Sequence, residues 1–174
     1  MTDSILIRLA TPVDAPVLGK HRTAMFRDMG TIHPSSEAAL LDASTGYFES
    51  ALASGEYVGW VGYQQEDAAR IVAGAGLQLR GLLPRPEPKG NGLLLGREGL
   101  ILNVYVEPAW RRRGLARRLM QEILIWAAGA GVARLVLHAS NEGRPLYESL
   151  GFIASNEMRH AGAPAAIGPA TGAV

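Results

Sequence analysis

An α/β fold of the α+β kind, with a central mixed, mostly antiparallel twisted sheet flanked by about four helices, is what this sequence predicts. Three observations carry that prediction. Strand and helix patterns follow one another in the order β-α-α-β-β-β-α-β-α-β. The β-α-β passage near the end requires a parallel pair within a sheet that is otherwise antiparallel. At 174 residues, 48% hydrophobic and 19% charged, the chain has the length and composition of one globular domain with a real core.

The first element is ILIRL, residues 5–9, a short strand. Thr11 stands in N-cap position behind it, with Pro12 at the first helical position and Asp14 in the first turn, so a helix starts there and runs to about Met29. After the link GTIHPSS a second helix is capped by Ser35 or Ser36, carries Glu37 near its start and ends at Gly55. EYVGWVGYQQ and RIVAGAGLQLRG are strand-like runs separated by EDAA, which predicts an antiparallel hairpin. LLPRPEPKGNG, residues 82–92, has three prolines in five residues and is a loop. It is longer than most hairpin connections, which makes it a candidate for binding.

GLILNVYVEP is a buried strand ended by Pro108, and RRRGLA leads from it into an amphipathic helix with Leu115, Leu119, Ile123 and Ala127 on one stripe. ARLVLHAS reads as a further buried strand, GRPLYESLG as a short helix and GFIASNEMRH, residues 151–160, as a last strand. Residues 1–160 then make one domain. Residues 161–174 are an Ala/Gly/Pro-rich tail with little order of its own expected.

Composition excludes several functions. Lys+Arg number 17 against 16 Asp+Glu, a net charge of +1, where a dedicated nucleic-acid domain carries a clear basic excess. With no cysteine there is no thiol catalysis, no disulfide and no thiolate metal site, and the composition is compatible with a reducing, cytoplasmic setting. The start MTDSILIRLATPVD has an early acid and no long apolar run, so it does not read as a secretory signal. Residues 123–133, the most apolar segment, are about half a membrane span, so a soluble protein is expected. His21, His33, His138 and His160 have no metal-ligand spacing between them, and no metal is expected.

The segment VEPAWRRRGLARRLM, residues 106–120, concentrates the chemistry. A strand ends, a proline breaks it, and a helix begins near Gly114. The first N–H groups of a helix have no intrahelical partner and carry the positive end of the helix dipole. A glycine there lets a phosphate approach the backbone, and a small residue two positions later keeps the helix start uncrowded. Strand, glycine turn and helix start together make a diphosphate site, to which Arg112, Arg113 and Arg117 can add charge-assisted bonds. No GxxxxGK[ST] or GxGxxG pattern is present. The plainer alternative is that Arg111, Arg112, Arg117 and Arg118 are the solvated face of an amphipathic helix. A nucleic-acid patch is the third reading, but only Trp110 is interleaved with the arginines and an apolar stripe follows.

VEPAWRRRGLA resembles the acyl-CoA binding motif of the GNAT N-acetyltransferase superfamily, whose core is [Q/R]-x-x-G-x-[G/A]. Arg111, Arg112, Arg113, Gly114, Leu115 and Ala116 stand at its six positions. LYESLGF, residues 146–152, is similar to the family's second signature, and the order of elements is the family's own. The resemblance covers roughly residues 5–160.

It implies an acetyltransferase that uses acetyl-CoA as co-substrate, in which an amine attacks the thioester. Tyr147 matches the family's acid, which protonates the departing thiolate, since a phenol near pKa 10 is protonated at neutral pH. Core packing beside Leu146 and Leu150 is the alternative for that ring. The resemblance also implies an oxyanion donor from the backbone of residues 103–106, and main-chain pairing of Val104, Tyr105 and Val106 with the pantetheine arm. The asparagine that the family often has seven residues before the tyrosine corresponds to Ser140, with Asn141 next to it. Both are implied cofactor contacts.

Asn103 is a polar residue within a buried strand, sharing a face with Ile101 and Tyr105. It is a candidate for orienting substrate or water, or else it is satisfied by a neighbouring loop. His138 is a weaker cleft candidate, and Glu98 and Glu107 are weaker still. The acceptor site is expected at FRDMGTIHPSS, with Phe26, Arg27, Asp28, Met29 and His33, and with the 82–92 loop as second wall. The acceptor is a small-molecule or peptide amine, with no nucleic acid or membrane partner, and family analogy implies a homodimer. A CoA-binding sensor without catalysis is the alternative function.

Overall fold

The computed structural model describes residues 4–88 and 90–158, so residues 161–174 and the end of the predicted last strand lie outside the described residues. The described residues fall into two compact units, divided between His138 and Ala139.

The first unit starts with β1 (Ile5–Leu9). Pro12–Asp14 form a 3-10 turn that runs into α1 (Ala15–Asp28), so the predicted helix start is a tight turn followed by the α-helix proper. Asp14 organises this corner. It is 4% exposed, accepts two bonds of 2.8 Å from the Arg8 guanidinium, and accepts the Thr11 N–H at 2.8 Å. Burial by itself pushes the Asp14 carboxyl up, but the Arg8 fork and the Thr11 bonds outweigh it and hold the carboxyl below its ordinary value. The folded chain therefore binds fewer protons here than the unfolded chain. This contribution is complete above the ordinary carboxylate range and disappears as the pH falls through the depressed folded value. Asp14→Asn is expected to cost about 1–3 kcal/mol at pH 7. It should narrow the gap between urea midpoints at pH 7 and pH 3, while the wild type keeps the full gap.

A second 3-10 turn, Pro34–Ser36, opens α2 (Glu37–Ser54), and Gly55, at φ 75°, stops it as expected. β2 (Tyr57–Gln64) and β3 (Asp67–Gly81) then pair antiparallel. The turn between them is Gln65–Glu66 rather than EDAA, because register shifts near Tyr63 and Gln64 let Asp67 join the ladder. The 82–92 loop is partly ordered as a small hairpin, β4 (Arg85–Pro86) against β5 (Leu93–Leu94). β6 (Arg97–Val106), α3 (Leu115–Gly129) and β7 (Val132–Leu137) complete the unit. The sheet order is β1-β2-β3-β6-β7, with β6 and β7 parallel and the other pairs antiparallel.

The two faces of this sheet carry different helices. Tyr57 and Val61 pack with Ala15, Leu18, Phe48 and Ala51 of α1 and α2. The alternate residue Trp60 meets Trp126 of α3 edge-on at 5.8 Å. Leu115, Leu119, Ile123 and Ala127 are all buried on α3, as their spacing predicts, and Met120 joins them. β3 carries glycine where Tyr57 and α1 press on it most closely. A Cβ at Gly76 would lie 2.3 Å from the Tyr57 ring, and one at Gly74 would lie 3.2 Å from His21 Nδ1. Gly76→Ala is expected to destabilise by about 3 kcal/mol through overpacking, read as a lowered urea midpoint with unchanged slope.

β7 is half-buried throughout, not buried as its apolar sequence suggests, because in this unit it pairs on one side only, with β6. Glu98, buried at the start of β6, accepts from Arg80 of β3 at 2.7 Å and from Arg134 of β7 at 3.0 Å. It is an ion-pair staple across three strands and not a cleft residue.

In the second unit α4 (Arg144–Ser149) forms as expected. The predicted strand after it does not form among the described residues 151–158. Ile153 is 90% and Met158 93% exposed, so no buried apolar face holds a strand together there.

Candidate active site

The backbone of β6 is irregular where the chemistry was expected. Gly74 stands opposite Tyr105 and Gly76 opposite Leu102, so Asn103 and Val104 together oppose Ala75. This is a β-bulge. Asn103 takes φ 58°, the left-handed region that asparagine tolerates best after glycine. On its other side β6 pairs with β7 only as far as Ile101 and Leu137. Residues 102–106 therefore keep an open strand edge within this unit. Glu107 donates its N–H to the Val72 carbonyl at 2.9 Å, so Val106, one residue earlier, turns its N–H and carbonyl away from β3. Arg111 Nε takes that carbonyl at 2.9 Å.

The arginine loop follows. A 3-10 turn, Pro108–Trp110, leads to Arg112 at φ 63° and Gly114 at φ 77°, the N-cap of α3. The first bond inside the helix runs from Arg118 N–H to the Gly114 carbonyl at 3.1 Å. The N–H groups of Leu115, Ala116 and Arg117 therefore have no acceptor within the helix. A Cβ built on Gly114 would meet no atom within 4 Å, so glycine is needed for the backbone angle and for access from outside rather than for packing. This donor set fits a diphosphate: open helix-start N–H groups, a small Ala116 in the first turn, and exposed arginines around them.

The arginines divide by role. Arg111 forms an ion pair with Asp28 at the end of α1 and lies over the Tyr105 ring at 5.5 Å. The Asp28 partner raises its pKa still further. Arg113 lies over the buried Trp110 ring at 4.7 Å. Arg112 and Arg117 are exposed. Arg118, also exposed, donates to the Ile5 carbonyl at 2.8 Å, which ties α3 to β1. Leu115 is core, 4% exposed.

Ile101, Asn103 and Tyr105 are all buried, but the bulge breaks the expected alternation: Tyr105 opposes Gly74 on the face that meets α1, whereas Ile101 opposes Leu77 on the other face. Asn103 Nδ2 donates to the Leu18 carbonyl at 3.3 Å. The Tyr105 hydroxyl lies 3.5 Å from Asp28 Oδ2. Burial, with the Asp28 carboxylate nearby, raises the Tyr105 phenol above its ordinary value. The α1–α2 link is held by Arg27 Nε donating to Glu37 at 2.9 Å. Beside it lies an open, mainly apolar hollow of about 470 Å³ lined by Phe26, Thr31, Ile32, Ser36, Ala39 and Leu40. Of the expected acceptor residues, Phe26 lines it and Met29 and His33 do not. His33 Nδ1 is engaged locally, 2.8 Å from the Ser35 hydroxyl.

In the second unit Ser140 Oγ accepts the Gly143 N–H at 3.1 Å, so its side chain closes the turn before α4. Asn141 is exposed. Tyr147 is half-buried, meets Phe152 edge-on at 6.2 Å, and has its phenol raised above the ordinary value by burial.

Reading the sequence alone overlooked His21. It is 3% exposed and sits 5.2 Å from the Tyr105 ring. Its signal was available: it falls three residues after Leu18, on the stripe of α1 that faces the sheet. Among the described residues no cluster of three His, Asp or Glu side chains could hold a metal ion, and no helix is long and apolar enough to cross a membrane.

The acetyltransferase (GNAT) family profile matches residues 16–152. A GCN5-related N-acetyltransferase from Ralstonia eutropha JMP134 is 34% identical, with 90% of this chain and 97% of that chain covered at a TM-score of 0.76. A predicted acetyltransferase from Clostridium acetobutylicum, crystallised with acetyl-CoA, is 27% identical over 91% of this chain and 96% of its own, at a TM-score of 0.75. Glucosamine-6-phosphate N-acetyltransferase from Arabidopsis thaliana, 18% identical over 90% of this chain and 97% of its own at a TM-score of 0.62, shares the fold. A comparison with curated proteins finds no match. The open-edged, bulged strand running into a glycine-capped helix thus stands in a chain that belongs to the GNAT acetyltransferase family.

Proposed function

We propose that this protein transfers an acetyl group from acetyl-CoA to a primary amine by direct attack, with residues 1–160 working as one acyltransferase domain. The observation that carries this is the edge of β6, unpaired within its unit beyond Ile101, leading into the glycine-started helix at Gly114. The acetyl-CoA diphosphate would be held by those N–H groups, with Arg112, Arg113 and Arg117 adding charge. The pantetheine arm would pair with the backbone of Val104 and Val106. Arg111 and Tyr105 serve by shaping the loop, since Asp28 and Val106 already occupy the Arg111 guanidinium.

An N–H at the bulge holds the oxyanion that develops on the thioester carbonyl. Tyr147 gives its proton to the departing sulfur, and its burial-raised pKa keeps that proton in place at neutral pH. Asn103 orients the amine or a water beside it. Ser140 and Asn141 complete the cofactor contacts of the second unit. The acceptor enters past the hollow at Phe26. The cysteine-free composition suits the cytoplasm, where we place the enzyme.

A thiol-release assay with acetyl-CoA across small amines, aminoglycosides, polyamines and peptide N-termini tests the proposal. Amine-dependent release of CoA that falls in Tyr147→Phe supports it. Tight acetyl-CoA binding with no turnover on any amine would establish the sensor alternative.

A further inference from the structure

An amine cannot lose its proton into an apolar interface, and Asn103 is no base, so the proposed reaction needs a way out for that proton. Three buried polar atoms on the facing sides of α1 and β6 have no hydrogen-bond partner among the described residues: His21 Nδ1, His21 Nε2 and Asn103 Oδ1. Orphaned polar groups in a packed interface are costly, and a use is expected where they persist.

The register orders these atoms along β3. The bulge, where Asn103 and Val104 oppose Ala75, is one residue from Gly74. A Cβ on Gly74 would lie 3.2 Å from His21 Nδ1, so that nitrogen sits over the bulge end. Two residues further along, Val72 accepts the Glu107 N–H, and Glu107 Oε1 lies 3.9 Å from His21 Nε2. The imidazole thus spans from the bulge to a carboxylate that is 31% exposed. The other titratable and charged groups on this path are Tyr105 on β6, Arg70 of β3, which is 3.5 Å from Glu107, and Asp28 with Arg111 beyond the Tyr105 ring.

We infer that His21 relays the proton of the attacking amine from the bulge to Glu107 and so to solvent. The inference rests on the acetyltransferase reading given above. As the N–C bond forms and the C–S bond breaks, the sulfur leaves with the electron pair and takes a proton from Tyr147. The amine proton passes to His21 Nδ1 through a water admitted beside Asn103 Oδ1 when the substrates bind, while the Nε2 proton passes to Glu107 as that carboxylate closes the 3.9 Å gap to hydrogen-bond distance. Solvent returns a proton to Tyr147 and removes one from Glu107, and His21 goes back from its Nδ1–H to its Nε2–H form by ring flip or exchange with water, so protons and charge balance over the cycle.

Burial pushes the His21 imidazole down to about 4. It is neutral at pH 7, its Nε2–H tautomer would turn the Nδ1 lone pair toward Gly74, and as a poor holder of charge it passes a proton on rather than storing it. Asn103 acts here as a positioning residue.

The test compares full-length wild type, His21→Gln and Glu107→Gln, using the best amine of the panel at saturation from pH 6 to 10. For His21→Gln, kcat is expected to fall roughly 100-fold and to rise with pH as hydroxide takes over, with the acetyl-CoA Kd unchanged. Glu107→Gln should lower kcat about 10-fold with the same tilt of the profile. Wild-type kcat and a wild-type pH profile in the two variants would overturn the relay and leave the acetyltransferase reading standing. If His21→Gln loses acetyl-CoA binding, and with it the fold, Glu107→Gln decides alone. A wild type that turns over no amine would sink both readings.

Discussion

Gly114→Asn should weaken acetyl-CoA binding roughly 100-fold, about 2.7 kcal/mol, while the fold survives. Gly114 holds φ 77° at the start of α3, and a side chain placed there meets nothing of the protein within 4 Å. Asparagine tolerates that backbone angle, so Gly114→Asn keeps the turn and adds only bulk over the helix-start N–H groups. Gly114→Val adds strain to bulk and should lower Tm as well, since a β-branched residue at positive φ is a true outlier. Calorimetry with acetyl-CoA separates the two. An unchanged Kd in Gly114→Asn would place the diphosphate elsewhere.

Removing the Tyr147 hydroxyl is the second large effect. Tyr147→Phe preserves the ring that meets Phe152 edge-on, so the second unit should keep its packing. A positioned general acid contributes 10²–10⁴-fold, and a leaving thiol with a pKa near 8.5 needs modest help, so kcat should fall roughly 100-fold with KM for acetyl-CoA little changed. Because burial raises the phenol, the wild-type rate should hold above pH 10, beyond where an ordinary tyrosine loses its proton. Any decline on that limb that belongs to the acid should be missing in Tyr147→Phe. Equal kcat in both proteins would leave Tyr147 a packing residue.

Local chemistry made much of this protein legible. Thr11, Pro12 and Asp14 announced a helix start, Gly55 a helix end, and the spacing of Leu115, Leu119, Ile123 and Ala127 a buried stripe, because each depends on residues within a turn or two of one another. The glycine-capped helix start was readable for the same reason. The predicted strand at residues 151–158 failed where its alternation was weakest: Ile153 and Met158 found no core to face.

Other features depend on partners far away in the chain. Arg111 stands first in the acyl-CoA motif, yet Asp28, 83 residues away, pairs with it. Glu98 looked like a cleft acid, yet Arg80 and Arg134 close on it from neighbouring strands. The bulge at Asn103 arises from a two-against-one register with Ala75, which no count along one strand reveals. His21 gained its candidate role only because Gly74 of β3 leaves room for it beside the bulge. The sequence by itself determined the order of elements, the amphipathic faces and the open helix start, since these follow from short-range periodicity and backbone preference. Only the tertiary structure decided which charges pair, which strand edge stays open and which buried polar atoms lack partners, because ion pairing, register and desolvation are set by what other segments bring within a few ångströms.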